Sequence, residues 1–125
     1  MYSHIMVGSN DLDRSKAFYD AVLGTLGASP GTVDRHRVFY RNGGSTFGVS
    51  LPIDGQAAQH ANGGTIGFAC ATKEQADAWH AAGVANGGTS IEDPPGERPG
   101  SGMYLAYLRD PDGNKLCALH RLPRS

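Results

Sequence analysis

Residues 3–24 read "SHIMVGSNDLDRSKAFYDAVLG". The opening residues alternate, with Ile5 and Val7 on one face and His4 and Met6 on the other, which predicts a short strand over 3–8. A helix is predicted over about 12–23. Asn10 or Asp11 is placed to cap it, because a side-chain oxygen there accepts from the free N–H groups of the first turn. Asp13 adds favourable negative charge to that turn, and Gly24 suits the left-handed residue that ends a helix. Phe18 with Val22 and Tyr19 with Leu23 lie one turn apart and form a stripe that can pack on a sheet.

The same order of elements recurs. A shift of 61 positions lays "HIMVGSND" from His4 over "TIGFACAT" from Thr65, Phe18 over Trp79 and Gly27 over Gly88. In the first copy, strands are predicted at 36–41 and 46–51 around the turn Asn42-Gly43-Gly44. The second copy predicts a strand over 65–70 and a helix over 73–85. Thr72 and Gln75 form a capping box for that helix, and Trp79 is its anchor. Further strands are expected at 89–92, 103–109 and 115–120, with "EDPPGERPGSG" (92–102) as a Pro/Gly-rich loop. One copy cannot bury its sheet alone, so the chain is expected to be a single domain over 1–125. Module one would span about 1–52 and module two about 63–122, with a polar connector at 53–62. The fold class is α+β: two βαβββ modules forming a curved mixed sheet around a small-molecule cavity, helices outside. Alternation would line the cavity with His4, Met6, Thr65, Gly67, Lys115, Cys117 and Leu119.

Bulk properties narrow the function. A net charge of -1 argues against a nucleic-acid footprint and against a polybasic membrane patch. No apolar run approaches the ~20 residues of a membrane span, and the N-terminus lacks the pattern of a signal peptide. Both cysteines, Cys70 and Cys117, sit inside apolar strands, which suits reduced thiols in a cytoplasmic protein; a disulfide between them stays open at this point.

Three segments together carry a family resemblance: "SHIMVGSNDLDRSKAFYDAVLG", "GGTIGFACAT" and "YLRDPDGNKLCALH". With them the chain resembles the vicinal oxygen chelate superfamily of glyoxalases, bleomycin-resistance proteins, extradiol dioxygenases and fosfomycin-resistance enzymes. The resemblance implies a homodimer and a small-molecule site. It also implies a divalent metal such as zinc, nickel, manganese or iron, acting as a Lewis acid on vicinal oxygens of the substrate. The family's metal positions fall here on His4, Gly48, Thr65 and Cys117, so one usual ligand type, His4, stands among the four.

Cys117 therefore sits where the family places a metal-binding carboxylate. It can be read as a metal ligand paired with His4, as a nucleophile beside Lys115, or as buried core, since free cysteine is among the most buried residue types. Tyr40, Thr65, Arg98, Tyr104 and Tyr107 are the candidate ligand-binding residues, and His36 between Arg35 and Arg37 reads as an exposed edge-strand cluster. Three functions fit these residues. One is a metal-free binder of a small organic molecule. Another is a lyase, isomerase or dioxygenase with an altered metal site using His4 and Cys117. The last is a ligand-free interaction module. The missing ligands favour the first.

Overall fold

The computed structural model describes residues 1–123. The first half runs β1 (Ile5–Gly8), α1 (Leu12–Gly24), β2 (Thr32–Asp34), β3 (Arg37–Asn42) and β4 (Ser45–Ser50). The second runs β5 (Ile66–Ala69), α2 (Lys73–Ala85), β6 (Thr89–Ser90), β7 (Gly96–Arg98), β8 (Met103–Arg109) and β9 (Lys115–Arg121). The N-cap predictions find their counterparts in the structure, whereas Gly24 stays inside α1 and the left-handed glycine after it is Gly27. Asp11 accepts from the Arg14 backbone N–H at 3.1 Å, and Thr72 accepts from that of Gln75 at 3.0 Å.

Two strands were not foreseen. β2 pairs with β3 around the tight turn Arg35-His36, in which Arg35 has a φ of 57°. Asn-Gly normally announces such a turn, and neither residue is present. His36 thus belongs to a turn, and β2, not the segment from His36, is the sheet's edge. β7 forms inside the Pro/Gly-rich loop and folds it back along β8, pairing Glu97 with Tyr104 and Arg98 with Met103.

The strands form two mixed sheets rather than one continuous curve, in the orders β1-β4-β3-β2 and β5-β9-β8-β6, with β7 also on β8. β1 runs parallel to β4 and β5 parallel to β9. Alternation gives each sheet one apolar face. Val38, Tyr40, Phe47 and Val49 are buried in the first sheet, and Ala106, Leu108, Leu116 and Ala118 in the second. Both faces share a core with Phe18, Tyr19 and Val22 of α1 and Trp79 of α2. Phe47 meets Phe68 edge-on across the two sheets at 5.4 Å between ring centroids.

A polar clasp also joins the halves. The turn 110–114 packs against the start of α1. Buried Asp110 accepts from the Tyr19 hydroxyl at 2.5 Å, the Asn114 amide at 2.8 Å, and the backbone N–H groups of Asp112 and Asn114, both at 2.9 Å. Asn114 in turn donates to the Gly8 carbonyl at the end of β1, and Asp112 accepts from Arg14, Ser15 and the Asn10 backbone.

A second carboxylate locks α1 to its own sheet. Asp20 accepts from the Tyr40 hydroxyl at 2.7 Å, the Gly31 N–H at 2.9 Å and Lys16 at 2.6 Å. Burial pushes its pKa up, but these donors outweigh burial and hold it below the usual 3.8. The carboxylate therefore contributes stability that is complete above the unfolded value and is lost as pH falls through the lower folded value. Urea unfolding of the protein and of Asp20→Asn should show the parent more stable at pH 7, with the gap shrinking below pH 3.8. A gap of constant size down to acid pH would contradict this role.

Candidate functional site

The register places two equivalent rows on the faces turned away from the core. Across β1, β4 and β3 the row is Met6, Gly48, Phe39; across β5, β9 and β8 it is Gly67, Cys117, Tyr107. Gly48 and Cys117 hold the same place in the two modules. A Cβ at Gly48 would run into the Met6 thioether and press on Phe39, so methionine fills the room that a longer side chain would need there. At Gly67 the opposite holds, because none of the described residues lies within 4 Å of where a Cβ would stand. The first row is filled from within, and the second is open at its β5 end.

Cys117 is buried, with its thiol 3.5 Å from the Ala118 carbonyl. Burial pushes the thiol above its ordinary value of 9.0, the Tyr107 hydroxyl pulling the other way. At neutral pH Cys117 is a thiol rather than a nucleophilic thiolate. Around it the structure gathers Tyr107, Lys115, Arg98 and Glu92. The Lys115 ammonium lies 5.0 Å from the Tyr107 ring centroid and the Arg98 guanidinium 5.9 Å. Lys115 is ion-paired with Glu92. Arg98 also ties its own loop, donating to the carbonyls of Pro94 at 2.9 Å, Gly96 at 3.2 Å and Asp93 at 3.1 Å.

A cleft of about 590 Å³ lies between the modules, lined by His4, Tyr40, Phe47, Thr65, Gly67 and Phe68 among others. Gly67 belongs to both places: it lines the cleft, and its partner across the ladder is Cys117. A second, wider recess of about 950 Å³ lies over Met6 and Phe39 under the segment from Leu51 to Gln59, with His4 at its rim.

The residues singled out in the sequence thus fall into three groups. Arg98, Tyr107 and Cys117 are together on the face of module two. His4, Thr65 and Tyr40 meet at the cleft. The Tyr40 ring lies on the core side with its hydroxyl bound to Asp20, and burial pushes that phenol well up. Tyr104 stands apart on the core side, donating to Asp77 of α2 at 2.6 Å. His120 also faces the core side, 3.1 Å from the Cys70 carbonyl, as strand alternation required. Both cysteines are free thiols, and the register sets them on opposite faces of neighbouring strands, so no disulfide joins them.

The donor set does not fit a metal centre. No group of three or more His, Cys, Asp and Glu residues converges among the described residues. His4 offers an imidazole already 2.7 Å from the Ser3 hydroxyl, Thr65 is a weak neutral donor, and Gly48 offers no side chain. Sequence reasoning missed Glu92, whose place in a Pro/Gly-rich loop gave no sign of its pairing with Lys115. It also used "DPDGN" only within a segment that carries the resemblance, without the contacts that Asp110 and Asp112 make to α1.

Comparison with known proteins agrees with this architecture. A family model described as the Glyoxalase/Bleomycin resistance protein/Dioxygenase superfamily matches residues 2–118. The structure is similar to a glyoxalase/bleomycin resistance protein from Albidiferax ferrireducens T118, at 63% identity and a TM-score of 0.92, covering 97% of this chain and 98% of that one. A lactoylglutathione lyase from Agrobacterium tumefaciens superposes at 21% identity and a TM-score of 0.69, covering 96% of this chain and 92% of that one. A fosfomycin resistance protein from Mesorhizobium loti gives 18% and 0.70, covering 96% and 91%. The last two show the fold alone. Among curated proteins none matches the chain significantly.

Proposed function

Since the chain belongs to the glyoxalase/bleomycin resistance protein/dioxygenase superfamily, we propose that it binds a small organic molecule where the inter-module cleft meets the face bearing Cys117 and Tyr107, without a complete metal centre. The observation that carries this reading is the space at Gly67. Gly67 lines the cleft with His4 and Thr65 and leaves an unfilled position beside Cys117, so a ligand entering there meets the cleft at one end and the row Cys117, Tyr107 at the other. In this reading Tyr107 supplies a flat contact, Arg98 and Lys115 supply charge, and Cys117 is a buried wall; no side chain is assigned a chemical step. A cytoplasmic homodimer belongs to the same reading, from the free thiols and from the family resemblance. Among the described residues no helix is long and apolar enough to cross a membrane.

The test is thermal unfolding against a panel of small aromatic acids, amines and neutral compounds. A compound that binds only the native state raises the melting temperature, by about 2.7 kcal/mol of stabilisation at a hundred times its Kd. Gly67→Phe should fold normally, since the added ring enters open space, and should lose the shift. No shift with any compound, or shifts that Gly67→Phe leaves intact, would defeat the proposal.

A further inference from the structure

The charges around Tyr107 are unbalanced and arranged. Two cations, Arg98 and Lys115, and one anion, Glu92, meet beside it. Both cations lie against the Tyr107 ring, and Glu92 closes on the Lys115 ammonium. Glu92 does so from an unfavourable backbone. Its φ is 58°, in the left-handed region that glutamate seldom adopts, and it is one of only two non-glycine residues so placed among the described residues. Backbone strain of this kind persists where the surroundings enforce it, and it clusters at ligand clamps and switches. Two anchors hold the segment there: Ile91 N–H bonds to the Tyr107 carbonyl, and Arg98 gathers the carbonyls of Asp93, Pro94 and Gly96. Yet the pair it forms is open to water. The Glu92 side chain is 46% exposed and that of Lys115 26%. An exposed ion pair of this sort contributes little stability and exchanges readily.

We infer that the ligand of this face is a flat organic anion, whose carboxylate or sulfonate displaces Glu92 from Lys115 while its body lies on Tyr107 and reaches the space at Gly67. Glu92 is then an internal stand-in for the ligand's acid group. It neutralises Lys115 in the empty protein and competes with every anion that enters. This inference rests on the binding proposal above and adds the ligand's charge and the residue that guards the site.

The test uses two fluorescent probes with closely similar rings: anilinonaphthalene sulfonate, which is anionic, and phenylnaphthylamine, which is neutral. Glu92→Gln removes the charge and keeps a side chain of the same length and backbone preference. It should tighten sulfonate binding about tenfold, the gain for a site that Glu92 leaves free about a tenth of the time. Lys115→Met should weaken sulfonate binding at least about tenfold, and Lys115→Arg should restore most of it, since guanidinium also pairs with sulfonate. Binding of the neutral probe should not change in any of these variants. Near-ultraviolet circular dichroism checks that each variant keeps its native packing. Sulfonate binding that Glu92→Gln leaves unchanged or weakens would overturn the inference. So would equal binding of both probes to every variant; if Gly67→Phe still abolished that binding, the site would stand as an uncharged one. Loss of saturable binding of both probes in the parent protein would remove both readings together.

Discussion

Asp110→Ala is expected to lower stability by about 3–5 kcal/mol, because four buried or half-buried donors lose a charged acceptor at once. The Tyr19 hydroxyl is fully buried and has no water to turn to. Burial and the neighbouring carboxylate push its phenol well above the ordinary value, so it stays protonated and needs an acceptor. The Asn114 amide keeps only its bond to the Gly8 carbonyl, and the turn loses the two backbone bonds that set its shape. At roughly 4 °C per kcal/mol for a chain of this length, the melting temperature should fall by about 12–20 °C. Asp110→Asn should cost less, about 1–2 kcal/mol, because one oxygen still accepts and the Tyr19 hydroxyl can turn to accept from the new amide. Thermal unfolding followed by circular dichroism decides the point. A shift of only a few degrees for the alanine variant would show that the clasp between turn 110–114 and α1 is incidental.

Trp79→Ala is expected to cost about 3–5 kcal/mol, the usual range for emptying a large aromatic site in a core that relaxes only in part. Trp79 is fully buried and packs beside Phe68, 6.2 Å between ring centroids, which itself meets Phe47. Its indole N–H has no hydrogen-bond partner among the described residues. Trp79→Phe therefore removes volume without stranding an acceptor, and should cost no more than about 1–2 kcal/mol. The alanine variant should also weaken ligand binding, because Phe68 lines the inter-module cleft and would lose the ring behind it. Urea unfolding followed by circular dichroism measures both variants, since Trp79 is the only tryptophan and its fluorescence goes with it. Equal costs for the two substitutions would mean that the indole N–H has a partner after all, or that the site collapses around alanine.

Much of the architecture was legible because it rests on local signals. Alternation around His4 to Gly8 and Thr65 to Cys70 named the strands and their faces, and Asp11 and Thr72 marked the helix starts. The core anchors Phe18, Tyr19 and Trp79 followed from helical spacing. What escaped depends on contacts distant in sequence. Asp110 and Asp112 look like turn residues, yet their partners lie about a hundred positions away on α1. Tyr40 and Tyr104 were grouped with Tyr107 as strand tyrosines. Their parity sets them on the core side, where helix carboxylates take their hydroxyls, and Tyr107 alone stands beside Cys117. β2 was hidden by a turn without glycine, and β7 by prolines and glycines that signal loop. The site's charge pairing depends on a left-handed Glu92, a conformation that no local residue preference announces.

The proposal with most at stake is that this family member holds its ligand without a metal centre, beside Gly67, Cys117 and Tyr107. The most direct measurement is a titration of anilinonaphthalene sulfonate into protein stripped with a chelator, repeated after adding zinc, nickel, manganese or ferrous iron and desalting. The account predicts saturable binding with the same Kd in every sample, lost in Gly67→Phe. Binding that appears only after one metal is restored, and that disappears in His4→Ala, would contradict it and return His4 and Cys117 to the role of ligands.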